Sequence, residues 1–396
     1  MNKVFEPGEM EPVDPSRVIE IQEKVKELLE ANQQRSEGIK EEISAYGAWA
    51  LPGLINATYV WMHDMENEQR QAMLAGMMAS LARENMPAID LLFRGVLDTP
   101  FEVPRSIARL ALEQLGWKPS EKNVQQIEKQ IALCRELNDV QGRLDLYALL
   151  LRTGNDRELD IALNECKQWV KGSLRPAGDL FALLLQAFPD RAEKTLSEVF
   201  VAAALVHSEA YKDKAIADML VNPLPLIPSQ WFGDGVLLNT SIRVLQRVGT
   251  HRHTGIEYLW ERAVRDFKQS DPDRWRDQFS AIGEQIQKAW KPTIDDAVQS
   301  VYRYWFEALG GNDEIGYIAQ ETHSKSELWA VSAAVQLFFS ERSDERAQRT
   351  LRELKAENQA RYRSAISRYE IMSQKLKPRT ETRSVSSTAG LDYKAR

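Results

Sequence analysis

Apolar residues recur along most of the chain at intervals of three and four, the period of an amphipathic helix, and period-two alternation is nearly absent. The pattern predicts an all-α protein. Asp14 and Pro15 form an N-cap with proline in the first helical position, followed by Val18, Ile21, Val25 and Leu28. The stripe fades at Asn32 and Ser36 and resumes at Ile39 and Ile43. This predicts a long N-terminal helix over 15–45, roughly 45 Å at 1.5 Å per residue.

From Tyr46 to Phe339 short capped turns separate successive helical patterns. Val140, Leu144, Tyr147 and Leu151 follow a cap at Asp139, and Leu159, Ala162, Leu163, Cys166 and Val170 follow Asp156, each reading as a one-sided stripe. Asp190 with Glu193, and Asp271 with Pro272, mark two further helix starts. Gly116, Gly154, Gly172 and Gly310 stand where C-terminal caps belong. Pro104, Asp139 and Pro176, 35 and 37 residues apart, each open a pair of helices. That spacing is near the period of two-helix repeats, whose units bury their apolar faces by stacking on one another. The expectation is an elongated helical-repeat, α-solenoid-like array with long terminal helices; the alternative is an irregular multi-helix bundle.

The proposed boundaries follow from composition. Residues 1–14 and 378–396 read as disordered tails, 46–221 and 236–343 as the two halves of the array, and 222–235 as a proline-rich break containing Pro223, Pro225 and Pro228. Residues 344–377 form a basic, heptad-like C-terminal helix whose seam runs through Leu351, Leu354, Asn358, Tyr362, Ala365, Tyr369, Met372 and Leu376, a coiled-coil type of spacing.

Charge modifies this picture at one end only. The chain carries a net charge of −7, yet residues 346–383 hold eleven Lys or Arg against four Glu, a surplus of +7 that leaves −14 on the remainder. Only Cys134 and Cys166 are present, each on an apolar stripe, which suits buried thiols in a reducing compartment. Without an apolar leader or a run of 18 apolar residues, the expectation is a soluble cytoplasmic protein with no membrane span.

Candidate chemistry is sparse. Of five histidines, His251 and His253 with Glu257 form the one arrangement that suggests a metal. Two imidazoles and a distant carboxylate fall short of a ligand set, so no metal, cofactor or catalytic residue is assigned. His207 falls beside the Ala203 and Val206 stripe and reads as a partly buried histidine. Phosphate-loop, dinucleotide and nucleophile-elbow motifs are absent, so the chain is not expected to be an enzyme. The candidate interaction residues are Trp231 and Phe232, aromatic anchors if the proline-rich loop exposes them, and Arg361, Arg363 and Arg368 on the basic helix. Trp260, Trp275, Trp290, Trp305 and Trp329 recur at helical spacing and read as core.

The leading functional expectation is a non-catalytic protein-binding scaffold or assembly subunit, working through a helical array and terminal-helix self-association. The alternatives are a nucleic-acid-associated protein using the basic helix and a metal-assisted hydrolase centred on His251 and His253.

Overall fold

Asp14 accepts a hydrogen bond from the Ser16 N–H, satisfying one of the free donors at the start of α1 (Pro15–Glu30). A computed structural model describes residues 14–65, 67–172, 174–206, 230–249, 255–289, 296–309 and 312–340, and every regular element among them is a helix. The tail expected over 1–14 (all but Asp14), the basic helix 344–377 and the tail 378–396 lie outside the described residues, as do Trp290 and Gly310.

The long helix expected over 15–45 is instead two. Ala31 is extended, at φ −74° and ψ 147°, and Asn32 caps α2 (Gln33–Ser44) by accepting from the Arg35 N–H. The chain turns back where the apolar stripe fades. Contacts of Glu27 with Arg35, Lys24 with Glu42 and Glu20 with Tyr46 make the pair an antiparallel hairpin. Ile21, Val25 and Leu28 of α1 are buried, with α1 lying on α3 (Leu51–Val60). The approach is close at Gly53, where a Cβ would fall 2.6 Å from Ile21 Cβ.

After α4 (Glu68–Ala82) the elements become regular. The helices α5 (Met86–Asp98), α7 (Glu121–Glu136) and α9 (Asp156–Trp169) start 35 residues apart each time, and α11 (Ala192–Val206) starts 36 further on. Asn85, Ser120 and Asn155 occupy the equivalent N-cap positions. Each of the first three helices packs on the next in sequence, respectively α6 (Glu102–Gln114), α8 (Val140–Leu150) and α10 (Leu174–Ala187). α8 lies between α6 and α10, while α5 touches α7 and α9 touches α11, giving two layers. Ion pairs link neighbours in the second layer: Glu128 with Arg157, Arg135 with Glu165, Asp160 with Lys194, and Lys167 with Glu198.

Two sequence expectations change here. The closely packed pairs begin one helix earlier than Pro104, Asp139 and Pro176 suggest, because α6, α8 and α10 each fold back on the helix before them across short connections. Further, α8 is not one-sided: every residue from Gly142 to Leu150 is buried, since α6, α7 and α10 enclose it. By contrast α9 is one-sided, with Leu159, Ala162, Leu163 and Cys166 inward. Cys134 and Cys166 are both buried and free, and burial pushes both thiols up, which keeps them protonated.

The chain divides into two units, Met1–Leu226 and Ile227–Arg396. In the second, the short α12 (Gln230–Gly233) precedes α13 (Val236–Val248), α14 (Ile256–Ser270), α15 (Pro272–Ala289), α16 (Asp296–Leu309), α17 (Asn312–Glu321) and α18 (Glu327–Ser340). α16 is the hub, touching α13, α14, α15 and α18. Its Trp305 lies 6.3 Å from Trp260, 6.2 Å from Trp275 and 6.4 Å from Phe232, ring centre to ring centre. Trp260, Trp275, Trp305 and Trp329 are all core residues, as their spacing predicts. Aromatic side chains bury about 150–250 Å² each, so this cluster dominates the unit's apolar burial.

Gly53→Ala should reverse the usual sign of a helical Gly→Ala exchange. Overpacking against Ile21 is expected to cost about 1–3 kcal/mol in denaturant unfolding. Gly38→Ala, where an added Cβ meets nothing within 4 Å, should instead gain about 0.5–1 kcal/mol.

Candidate functional site

On α6 the residues Arg105, Arg109 and Glu113 stand one turn apart and so share a face. That face meets α8, whose Asp145 is 1% exposed. Asp145 accepts from Arg105 Nε at 3.0 Å, from Arg109 Nε at 2.9 Å and from Ser106 Oγ at 3.3 Å. Arg105 also donates through Nη1 to Asp139 Oδ2 at 2.9 Å, while Asp139 Oδ1 caps α8 by accepting from the Gly142 N–H at 2.7 Å. Gly142 is required here, because a Cβ would sit 2.3 Å from Asp139 Oδ2 and 3.0 Å from Arg105 Nη1.

Burial raises the Asp145 carboxyl above the ordinary carboxylate range, against the opposing pull of Arg109 and Arg105. Burial also works against the charge on the two guanidiniums, but the carboxylates beside them outweigh it and hold both above the usual arginine value. They are permanent cations. A second buried centre joins α7, α8 and α9: Glu165 accepts from Arg143 Nη1 at 2.5 Å and from Arg135 Nη2 at 2.7 Å, and the Arg143 guanidinium lies 4.9 Å from the Trp169 ring centre.

In front of the first centre lies a cleft of about 490 Å³. Arg109 and Glu113 of α6, Ala148 and the following Leu151 and Arg152 at the end of α8, and Leu183, Gln186 and Ala187 of α10 line it, with Lys118 from the α6–α7 connection. All three helices contribute their C-terminal halves, so α6, α8 and α10 run in the same direction. Arg152 donates through Nε to Trp117 O at 2.7 Å and through Nη2 to Glu113 O at 3.4 Å, which places a cation at the C-terminal end of α6. Among the described residues it pairs with no carboxylate. The lining offers charge, hydrogen-bond donors and aliphatic surface, with no His, Cys or Ser to serve as base or nucleophile.

The residues singled out from the sequence fall elsewhere. Trp231 and Phe232 are 4% and 5% exposed, and Phe232 contacts Trp260, Phe267 and Trp305. The exposure on which an anchor role depended is therefore absent: α12 turns the pair into the aromatic interior of the second unit instead of leaving it on a loop. Arg361, Arg363 and Arg368, together with His207, His251 and His253, lie outside the described residues. Glu257 stands in the first turn of α14. Among the described residues no helix is long and apolar enough to cross a membrane.

Arg105, Arg109, Asp145 and Arg152 escaped the sequence reading. The recoverable signal was the i, i+4 run Arg105, Arg109, Glu113 interleaved with the apolar Val103, Ile107, Ala108, Leu110, Ala111 and Leu112, with Asp139 and Asp145 about 35 residues later. Compared with protein-family models, with curated proteins and with solved structures, the chain shows no match.

Asp145→Asn leaves Arg105 and Arg109 sharing a buried site without its central charge. The substitution should lower the unfolding free energy by about 3–5 kcal/mol. A loss as small as that of an exposed pair, about 0–1 kcal/mol, would show that Asp145 does not hold α6 to α8.

Proposed function

We propose that this chain is a non-catalytic protein-binding scaffold or assembly subunit whose first unit is an α-solenoid-like array. The observation that carries the reading is the step of 35 residues from α5 to α7 to α9, together with the common direction of α6, α8 and α10. Repeat units stacked in this manner present a row of like-oriented helix ends, a surface that suits an extended polypeptide partner. The use of the buried ionisable groups agrees with it. Arg105, Arg109, Asp139 and Asp145 tie one helix pair to the next, and Arg135, Arg143 and Glu165 do the same one step along.

Small-angle scattering on residues 1–226 tests the array. A compact body of that length has a radius of gyration of about 17 Å. A stacked array should exceed this clearly, and a value at the compact limit would overturn the array in favour of a bundle.

The assembly half of the proposal rests on the heptad-like seam of 344–377. The mass in solution of the intact chain should fall to that of a monomer when 346–396 are deleted. A monomeric mass for both proteins would remove terminal-helix association from the proposal.

A further inference from the structure

We infer that the cleft across the C-terminal halves of α6, α8 and α10 binds an acidic, aliphatic-containing peptide segment of a partner protein. The inference deepens the scaffold proposal and rests on it. Arg152 and Lys118 carry the recognition. The Arg152 guanidinium is immobilised by the carbonyls of Trp117 and Glu113, so part of its entropy cost is already met, and it still has donors to spare. Lys118 is exposed on the same cleft and, among the described residues, is engaged by no carboxylate. Arg109 stands between them and the buried Asp145, already shared with Glu113. Counting the connected groups, Arg105, Arg109, Lys118 and Arg152 face Asp139, Asp145 and Glu113, which leaves one positive charge in excess on a chain whose net charge is −7.

The size and lining decide the class of ligand. Three neighbouring helices at interaxial spacings of about 8–10 Å give a cleft about 16–20 Å across, the length of roughly five or six extended residues at about 3.3 Å each. A lone small anion would leave most of it empty. Of the aliphatic lining, Leu183 is half-buried while Ala148 and Leu151 are buried, which leaves a small aliphatic patch beside the charges that suits a single leucine-like side chain next to a carboxylate. A nucleic acid fits less well, because no aromatic ring lines the cleft to stack on a base. The basic stretch 346–383 of this chain has the wrong sign to be the occupant.

The test displays to the intact chain one pool of peptides built from Asp, Glu, Leu and Ser, and a matched pool with Lys and Arg in place of the acids. Inorganic phosphate and a single-stranded oligothymidylate are the competing probes. The acidic pool should be enriched, and affinity for the selected peptides should fall about tenfold or more in Arg152→Glu and in Lys118→Glu, as expected when a charge-assisted hydrogen bond is lost. Lys118 is exposed, so its variant keeps the fold if Arg152→Glu does not. Arg276→Glu, an exposed change in the second unit, should leave affinity unaltered. Three outcomes overturn the inference: no enrichment of the acidic pool, binding unchanged by both cleft variants, or displacement of the peptide by phosphate or the oligonucleotide at equal charge. Selected peptides that ignore both cleft variants would leave the scaffold proposal standing while removing this site. A compact scattering radius would remove the array itself, whatever the peptides do.

Discussion

A carboxylate cannot be taken out of water alone, and Asp145 is almost wholly out of water. The first unit is organised around that constraint. Asp145 sits in the middle of α8, a helix enclosed by its neighbours, and its two oxygens are met by Arg105 and Arg109 from α6. Because a guanidinium donates in a fixed planar fork, this pairing sets the rotation and height of α6 against α8. The consequences spread outward. Arg105 reaches on to the α8 cap at Asp139, and Arg109 to Glu113, so the same set of charges fixes where α8 begins and forms one wall of the cleft. An apolar interface of equal area would hold the helices together as firmly but would tolerate sliding.

The second unit solves the same packing problem with different material. Its hub helix α16 buries Val301, Tyr302, Tyr304, Trp305, Phe306 and Leu309, and the polar atoms it must satisfy are few. Two of its buried indole nitrogens find local partners: Trp260 donates to Ser241 Oγ at 2.9 Å and Trp275 to Glu314 Oε1 at 3.0 Å. Glu314 is itself held by Lys268 at 2.6 Å. Large rings with fixed shapes give this core much of its specificity, with the Lys268–Glu314 pair set against them.

Helix content was legible in the sequence because it follows from local periodicity, and so were the start signals at Asp14, Asp139 and Asp271, since capping is a short-range hydrogen bond. What periodicity cannot reveal is which neighbour a helix folds against. The break at Ala31–Asn32 was visible only as a weakening stripe, and the pairing of α7 with α8 instead of α6 with α7 depends on turn length and long-range burial. The equal step from Met86 to Glu121 to Asp156 went unread for a related reason: helices that share a position in the fold need not share residues. The candidate site was less legible still. Arg105 and Arg109 look like ordinary surface charges until α8 brings Asp145 to them, and the proline-rich surroundings of Trp231 and Phe232 left open whether the rings stay on a loop or pack on the neighbouring helix. Charge burial is a property of the assembled fold.

The indoles of Trp260 and Trp275 lie 6.3 and 6.2 Å from that of Trp305, ring centre to ring centre. Transition dipoles at such separations couple, splitting and redistributing the near-ultraviolet absorption of the cluster. The protein thus contains its own optical label: circular dichroism in that band carries an exciton contribution from the aromatic packing of the second unit, superposed on the single-indole contributions of Trp117 and Trp169 in the first.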